Sequence, residues 1–209
     1  MQGFLDALGD RTPTPGGGAA AGVVGGVAAA LGGMSASFSD KKPALEGQSD
    51  LAQRVAGRLR TSAALLYRLG EEDAQAFAEL GELMRRPKDD PDRLARWAGA
   101  VESALTPPRV MLAACCEVLR TLDDFAPRCN PRLASDLAIA GVLAGAGARA
   151  AWWNIKVNLP LVADEAQRRA IASEADRLVA RAASLARRVE AAAAAPGSVA
   201  IERVPKENR

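Results

Sequence analysis

The chain has 209 residues, of which 49% are hydrophobic and 25% are charged, and its formal net charge is +2. This length supports one sizeable core, and the composition predicts a soluble, helix-rich globular protein. Acidic and basic residues are interspersed, so nothing indicates a nucleic-acid-binding face. The absence of histidine from the sequence excludes a Ser-His-Asp triad, a Cys-His pair and histidine metal ligands.

The cysteines are Cys115, Cys116 and Cys129, an odd number without CxxC spacing. This usage predicts reduced thiols and a cytoplasmic location, and it argues against a disulfide framework or a zinc site. Because the sequence has no histidine, acid–base chemistry is left to carboxylates, lysine, Tyr67 or bound water, and carboxylates are expected.

The N-terminal region is organised around the loop TPTPGGG at residues 12–18. A short amphipathic helix is predicted before it, at residues 3–9, and a Gly/Ala-rich helix after it, at 17–37. The start of that second helix exposes backbone N–H groups, which bind ligand oxygens. Residues 13–39 carry no charge and are long enough to cross a membrane, but their glycine content favours a buried helix of a soluble protein.

Proline-rich breaks divide the rest of the chain into further helices. Apolar residues at steps of three and four predict a long helix over residues 44–86. Later helices are predicted at about 92–105, 109–125, 131–158 and 162–194. No strand pattern competes, so the predicted fold is an all-α multi-helix bundle, with long antiparallel helices and a central Gly/Ala-rich helix. Residues 1–195 are expected to form a single domain, with 196–209 as a flexible tail.

Two aspartates occupy otherwise apolar helix surfaces. Asp73 lies on the apolar stripe of the long helix, and Asp136 precedes a charge-free run that ends at Arg149. General acids and bases are often such carboxylates, because burial shifts their pKa values. Both aspartates also have a structural interpretation. Asp73 could pair with a basic residue, and Asp136 could stabilise the helix by lying in its first turn, where the helix dipole favours a negative charge.

Asn154 and Asn158 lie one helical turn apart, on the same stripe as Asp136. The 18 residues between Asp136 and Asn154 correspond to about 27 Å along a helix axis. One compact site holds both only if the helix bends or a second subunit completes the site. Asn154 has the alternative role of satisfying backbone groups in the core. Lys41 and Lys42 follow the Gly/Ala-rich helix. Instead of binding a ligand, they could simply be solvated at the C-terminal end of that helix, where a positive charge is favourable.

These motifs, in this order, resemble the cyclodeaminase/cyclohydrolase family. That family includes the C-terminal domain of formiminotransferase-cyclodeaminase and stand-alone bacterial methenyltetrahydrofolate cyclohydrolases. The resemblance spans roughly residues 4–185. The elements that carry it are Phe4-Leu5, the PTPGGG segment at 13–18, Lys41-Lys42, Asp73 with Ala76-Phe77, Pro107-Pro108, Asn130-Pro131, Ser135-Asp136 and the segment NIKVNL at 154–159.

The resemblance implies a dimeric enzyme that takes a tetrahydrofolate derivative as substrate, with no tightly bound cofactor, metal, nucleic acid or membrane. The expected reaction is hydrolysis of 5,10-methenyltetrahydrofolate to formyltetrahydrofolate. The alternative is closure of 5-formiminotetrahydrofolate with release of ammonia. Asp136 is the expected catalytic carboxylate. The residues expected to bind the substrate are Pro15, Gly16, Gly17, Gly18, Lys41, Lys42, Asp73, Asn154 and Asn158.

Two alternatives from other classes remain open. One is a non-catalytic helical binding protein with the same fold, which predicts no turnover of folate. The other is a membrane-associated helical protein, which predicts that the chain sediments with lipid.

Overall fold

A computed structural model describes residues 2–39 and 48–195 of the chain. Within these residues no strand occurs, and the regular structure is entirely helical. The predicted all-α bundle is therefore confirmed. The helices are α1 (Gln2–Gly9), α2 (Gly17–Ser37), α3 (Gln48–Arg85), α4 (Pro91–Phe125), α5 (Ala134–Asn158) and α6 (Glu165–Ala193).

Helix α2 is the central helix of the bundle, and it packs against α3, α4 and α5. Its 12 buried residues are all glycine, alanine or serine. Side chains this small let the neighbouring backbones approach closely. At Gly22, a Cβ atom would lie 2.6 Å from the carbonyl oxygen of Leu66 and 2.9 Å from the Cα of Gly70.

Two helical stretches, Gly17–Ser37 and Pro131–Leu161, are long and apolar enough to cross a membrane by length and composition. In the bundle, 56% of the most apolar 18 residues of the first stretch are buried inside the protein, and 39% of those of the second. For α2, the covering surfaces are those of α3, α4 and α5. The prediction that the Gly/Ala-rich helix is buried in a bundle is confirmed.

The relative direction of α2 and α5 separates the sequence motifs into two groups. Gly17, at the start of α2, lies beside Asn154 near the end of α5. Ser39, just after α2, accepts a hydrogen bond from the backbone N–H of Asn130, just before α5, at 2.8 Å. The two helices are therefore antiparallel, and each end of the pair collects different motifs.

Helix α4 runs unbroken over Pro91–Phe125, so the prediction of two helices separated by Pro107 and Pro108 is wrong. Pro108 has no backbone N–H, which leaves the carbonyl of Ala104 without its helical donor. The side-chain amide of Asn158 donates to that carbonyl at 3.0 Å. Both prolines are buried, so packing and this hydrogen bond hold the helix through the dipeptide.

The other helix boundaries differ from the predictions by a few residues. Helix α3 is described over Gln48–Arg85, and residues 44–47 of its predicted range lie outside the described part of the chain. Helix α5 begins at Ala134 because Pro131–Leu133 form a 3-10 turn. Asn130 caps that turn by accepting from the backbone N–H of Arg132 at 3.1 Å.

Candidate active site

A cavity of about 110 Å³ opens where the start of α2, the second half of α3 and the end of α5 meet. We call this cavity the cradle. Six of the residues predicted for the site line it: Gly16, Gly17, Gly18, Asp73, Asn154 and Asn158. Its wall is completed by Pro13, Thr14, Ala74, Phe77, Ala104 and Val157.

The floor of the cradle is the first turn of α2. Gly16 is the N-cap residue of this helix, in an extended conformation, and no side chain caps the helix start. The N–H groups of an α-helix's first turn have no acceptor within the helix. This end of α2 therefore presents backbone donors, and the positive end of the helix dipole, to the cradle.

Asp73 reaches from α3 onto this first turn. A Cβ atom at Gly18 would overlap the Asp73 carboxyl group, so a larger residue there would displace this carboxyl group from the first turn of α2. Burial raises the pKa of Asp73 from 3.8 to about 6. The described residues that line the cradle include no lysine or arginine to oppose this shift. A carboxyl group that titrates near neutral pH is suited to accept and return a proton.

The two asparagines of α5 have different surroundings. The Nδ2 of Asn158 donates to the carbonyl of Ala104, as described above. The Nδ2 of Asn154 is buried and has no hydrogen-bond partner in the described structure. Its Oδ1 lies 3.3 Å from the position that a Cβ of Gly17 would take. A buried donor without a partner is costly, so this atom marks a place where a ligand atom or a water belongs.

Asp136 lies in the first turn of α5, at the end opposite the cradle. The helix continues without a break from Ala134 to Asn158, so the separation of about 27 Å between Asp136 and Asn154 remains. Within one chain, the structure does not bring Asp136 to the cradle. A catalytic role for Asp136 stays a prediction, and it requires a contribution from a second subunit.

Of the three remaining predicted residues, one lies outside the cradle and two lie outside the described part of the chain. Pro15, joined to Thr14 by a cis peptide bond, is not part of the cradle lining. Lys41 and Lys42 lie outside the described residues, so their predicted role stays a prediction.

Sequence reasoning named no role for several residues of the wall. Phe77 follows Asp73 by one helical turn, and Val157 lies within the segment of the two asparagines, so helical spacing offers a signal for both. Ala104 is the residue four positions before Pro108, whose missing N–H frees the carbonyl that Asn158 binds.

The cysteines belong to the core rather than to the cradle. Cys115, Cys116 and Cys129 are buried and form no disulfide. Burial raises the pKa of Cys115 to about 12 and raises that of Cys116 as well. Thiols in this state are neutral at physiological pH and pack as small apolar groups, as predicted.

The fold and the cradle define the class of protein. It is a helical domain whose small-residue central helix begins at a cavity lined by one carboxyl group and two amides. The sequence profile described as formiminotransferase-cyclodeaminase matches residues 1–177 of the chain. The chain belongs to this family.

The chain is similar to enzymes named for two different reactions. It is 32% identical over 197 residues to a methenyltetrahydrofolate cyclohydrolase of Methylorubrum extorquens, which covers 90% of this chain and 93% of the relative. It is 27% identical to the formimidoyltransferase-cyclodeaminase of Mus musculus, over 79% of this chain and only 31% of that protein. A crystal structure of formiminotetrahydrofolate cyclodeaminase from Thermotoga maritima superposes with a TM-score of 0.82 at 28% identity, covering 92% of this chain and 94% of the other.

Proposed function

We propose that this protein is a folate one-carbon enzyme that hydrolyses 5,10-methenyltetrahydrofolate to formyltetrahydrofolate. The observation that carries the proposal is the half-buried carboxyl group of Asp73, held over the uncapped start of α2 with no basic side chain among the described residues of the lining. Similarity to the cyclohydrolase of Methylorubrum extorquens over nearly the full length of both chains supports the same reaction.

The substrate suits a cradle in which Asp73 is the only charged group among the described lining residues. The methenyl carbon belongs to a cation shared between two nitrogens, so it is electrophilic and needs only water and a base. An ionised Asp73 attracts this cation, which has no competing cationic side chain in the described lining. A cavity of about 110 Å³ is smaller than the roughly 300–1,000 Å³ of typical ligand sites, so it holds only the one-carbon end of the folate.

The proposed proton transfers use Asp73 as a base and then as an acid. The water oxygen bonds to the methenyl carbon while Asp73 accepts one proton from the water. One carbon–nitrogen bond then breaks, and the departing nitrogen takes the proton from Asp73. The hydroxyl proton leaves to solvent as the formyl carbonyl forms. The net change is consumption of one water and release of one proton, and the folate enters as substrate rather than as a resident cofactor.

Cyclodeamination is the second candidate, and the relatives from Mus musculus and Thermotoga maritima favour it. In that reaction one folate nitrogen attacks the formimino carbon and loses a proton, and the departing amine gains a proton and leaves as ammonia. Asp73 carries that proton equally well. The same cradle therefore serves either reaction. The nucleophile and the leaving group are water and a folate nitrogen in hydrolysis, and a folate nitrogen and ammonia in cyclodeamination.

The test is to mix the purified protein with 5,10-methenyltetrahydrofolate and follow the loss of its absorbance beside an enzyme-free control. We expect loss faster than the control, with formyltetrahydrofolate as the product. A parallel reaction supplies 5-formiminotetrahydrofolate and measures ammonia. Turnover only in the second reaction makes the protein a cyclodeaminase, and turnover in neither contradicts a catalytic function.

We further propose that the protein acts in the cytoplasm as a homodimer whose sites are completed across the interface. Helix α5 exposes apolar side chains along its length and α2 exposes one large apolar side chain, an arrangement common in subunit interfaces. The largest of these are Val27, Ile139, Val142, Trp153 and Val157. A two-fold axis through this face would place the Asp136 end of one subunit beside the cradle of its partner, because α2 and α5 are antiparallel. The small cradle and the distant Asp136 both support this arrangement.

Mixed dimers test the composite site. Asp73→Asn and Asp136→Asn homodimers are each expected to be inactive. Equal mixing after subunit exchange forms half heterodimers, each with one site that keeps both aspartates, so about a quarter of wild-type activity returns. If Asp73 and Asp136 served the same site within one chain, no activity would return. A fully active Asp136→Asn homodimer would show that Asp136 has no catalytic role.

A further inference from the structure

We propose that Asn154 binds the oxygen that enters the substrate. Its Nδ2 donates a hydrogen bond to the attacking water, and then to the same oxygen as the formyl group forms. This inference rests on the proposed hydrolysis and assigns one residue to one atom of it.

The first support is the contrast between the two asparagines. They share a helix face one turn apart, and the Nδ2 of Asn158 is engaged by the carbonyl that Pro108 leaves free. The Nδ2 of Asn154 is equally removed from solvent but has no partner in the described structure. The site therefore holds one donor that a ligand or water must satisfy.

The second support is the position of the Asn154 side chain relative to the carboxyl group. The Oδ1 of Asn154 approaches Gly17, and the carboxyl group of Asp73 approaches Gly18, the next residue of α2. The amide and the carboxyl group therefore lie over neighbouring residues of one helical turn. In the proposed arrangement a single water donates to Asp73, accepts from the Nδ2 of Asn154 and attacks the substrate carbon with its remaining lone pair.

The third support is chemical. The one-carbon unit of methenyltetrahydrofolate has no oxygen, whereas the transition state and the formyl product both have one. A donor that already holds the attacking water contacts no atom of the substrate until the carbon–oxygen bond begins to form. Such a hydrogen bond raises kcat and leaves substrate binding nearly unchanged.

The test is Asn154→Ala, with Lys156→Gln as a control in the same turn of α5 but outside the cradle lining. In Asn154→Ala we expect kcat to fall about 100-fold, the usual cost of removing one such donor. The KM for methenyltetrahydrofolate should change less than about threefold, while the inhibition constant of formyltetrahydrofolate rises about tenfold. Lys156→Gln should keep wild-type values, and thermal melting of both variants checks that they fold.

Asn154→Asp provides a second, nearly isosteric variant that removes the donor and adds a negative charge near Asp73. It should also lose activity, and its rate profile should shift to higher pH because two carboxylates disfavour each other's ionisation. The inference would be overturned if KM and the product inhibition constant rose equally while kcat stayed unchanged. That result would show that Asn154 holds a part of the folate that substrate and product share. Wild-type rates in both variants would also overturn the inference. An inactive wild-type protein would instead reject the proposed function on which it rests.

Discussion

Asp73→Asn is expected to abolish turnover while making the folded protein more stable. Asparagine keeps the shape of the side chain but cannot accept a proton from water, so kcat/KM should fall by about 10²–10⁴. The measurement is the rate of loss of methenyltetrahydrofolate absorbance. Asp136→Asn, which makes the same substitution at the other predicted carboxylate, in the first turn of α5, is measured beside it. Normal turnover by Asp73→Asn would reject Asp73 as the base.

The pH dependence of the wild-type rate checks the same assignment. The base must be ionised, and the pKa of Asp73 is raised by burial to about 6. We expect kcat/KM to rise with pH through about 6 and to reach a plateau above it. A plateau that persists well below pH 6 would mean that a carboxylate with a lower pKa, such as one left in solvent, performs the step.

Stability should change in the opposite direction to activity. The pKa of Asp73 in the folded state lies above its ordinary value of 3.8, so ionisation favours the unfolded chain. The stability that the neutral carboxyl contributes is present below about pH 4 and is lost as pH rises through about 6. Above that pH, Asp73→Asn should be the more stable protein, by on the order of 1 kcal/mol after allowance for partial solvent exposure.

Thermal melts at two pH values test this prediction. At pH 7 the variant should melt a few degrees above the wild type, and near pH 3.5 the difference should shrink toward zero. A variant that is less stable at pH 7 would mean that the ionised carboxylate is stabilised by the start of α2. In that case its pKa would not be raised, and the argument for Asp73 as the base would lose its electrostatic support.

The sequence predicted one half of the site well because local rules define it. A glycine triplet at a helix start means exposed N–H groups wherever the helix lies. Small residues at steps of three and four allow a neighbouring helix to approach closely, and Gly22 does lie against the backbone of Leu66. These are properties of one segment, and tertiary structure does not alter them.

The choice between two aspartates could not be made in the same way. Asp73 and Asp136 both look like carboxylates in apolar surroundings, and the sequence alone favoured Asp136 through a family resemblance. What distinguishes them is the register between α3 and α2, which places Asp73 over Gly18. That register follows from the packing of whole helices, and no single segment encodes it.

The break predicted in α4 failed for a related reason. Local chemistry says that Pro107 and Pro108 remove two helical hydrogen bonds, which normally ends a helix. The acceptor left free at Ala104 is satisfied by Asn158, which lies 54 residues later in the chain. The same contact fixes the end of α5 beside the cradle, so the proline pair helps to shape the site.

Gly22→Ala is expected to be the most destabilising single-methyl change in the bundle core. The added Cβ would lie 2.6 Å from the Leu66 carbonyl oxygen and 2.9 Å from the Cα of Gly70, and both are backbone atoms that cannot rotate away. Helices α2 and α3 must therefore separate. We expect a loss of about 3 kcal/mol or more in the free energy of unfolding, or failure to fold, since overpacking of a core typically costs 1–3 kcal/mol.

Gly33→Ala is the matched control on the same helix. Its added Cβ would meet only ordinary contacts, at 3.5 Å from the Cβ of Leu59 and 3.6 Å from the Ala56 carbonyl oxygen. Because alanine favours a helix by about 1 kcal/mol over glycine, this variant should be as stable as the wild type or more so. Denaturant unfolding of both variants compares the two positions directly. Equal stability of Gly22→Ala and Gly33→Ala would show that α2 and α3 do not meet backbone to backbone, and the position of Asp73 over Gly18, one turn from Gly22, would then be in error as well.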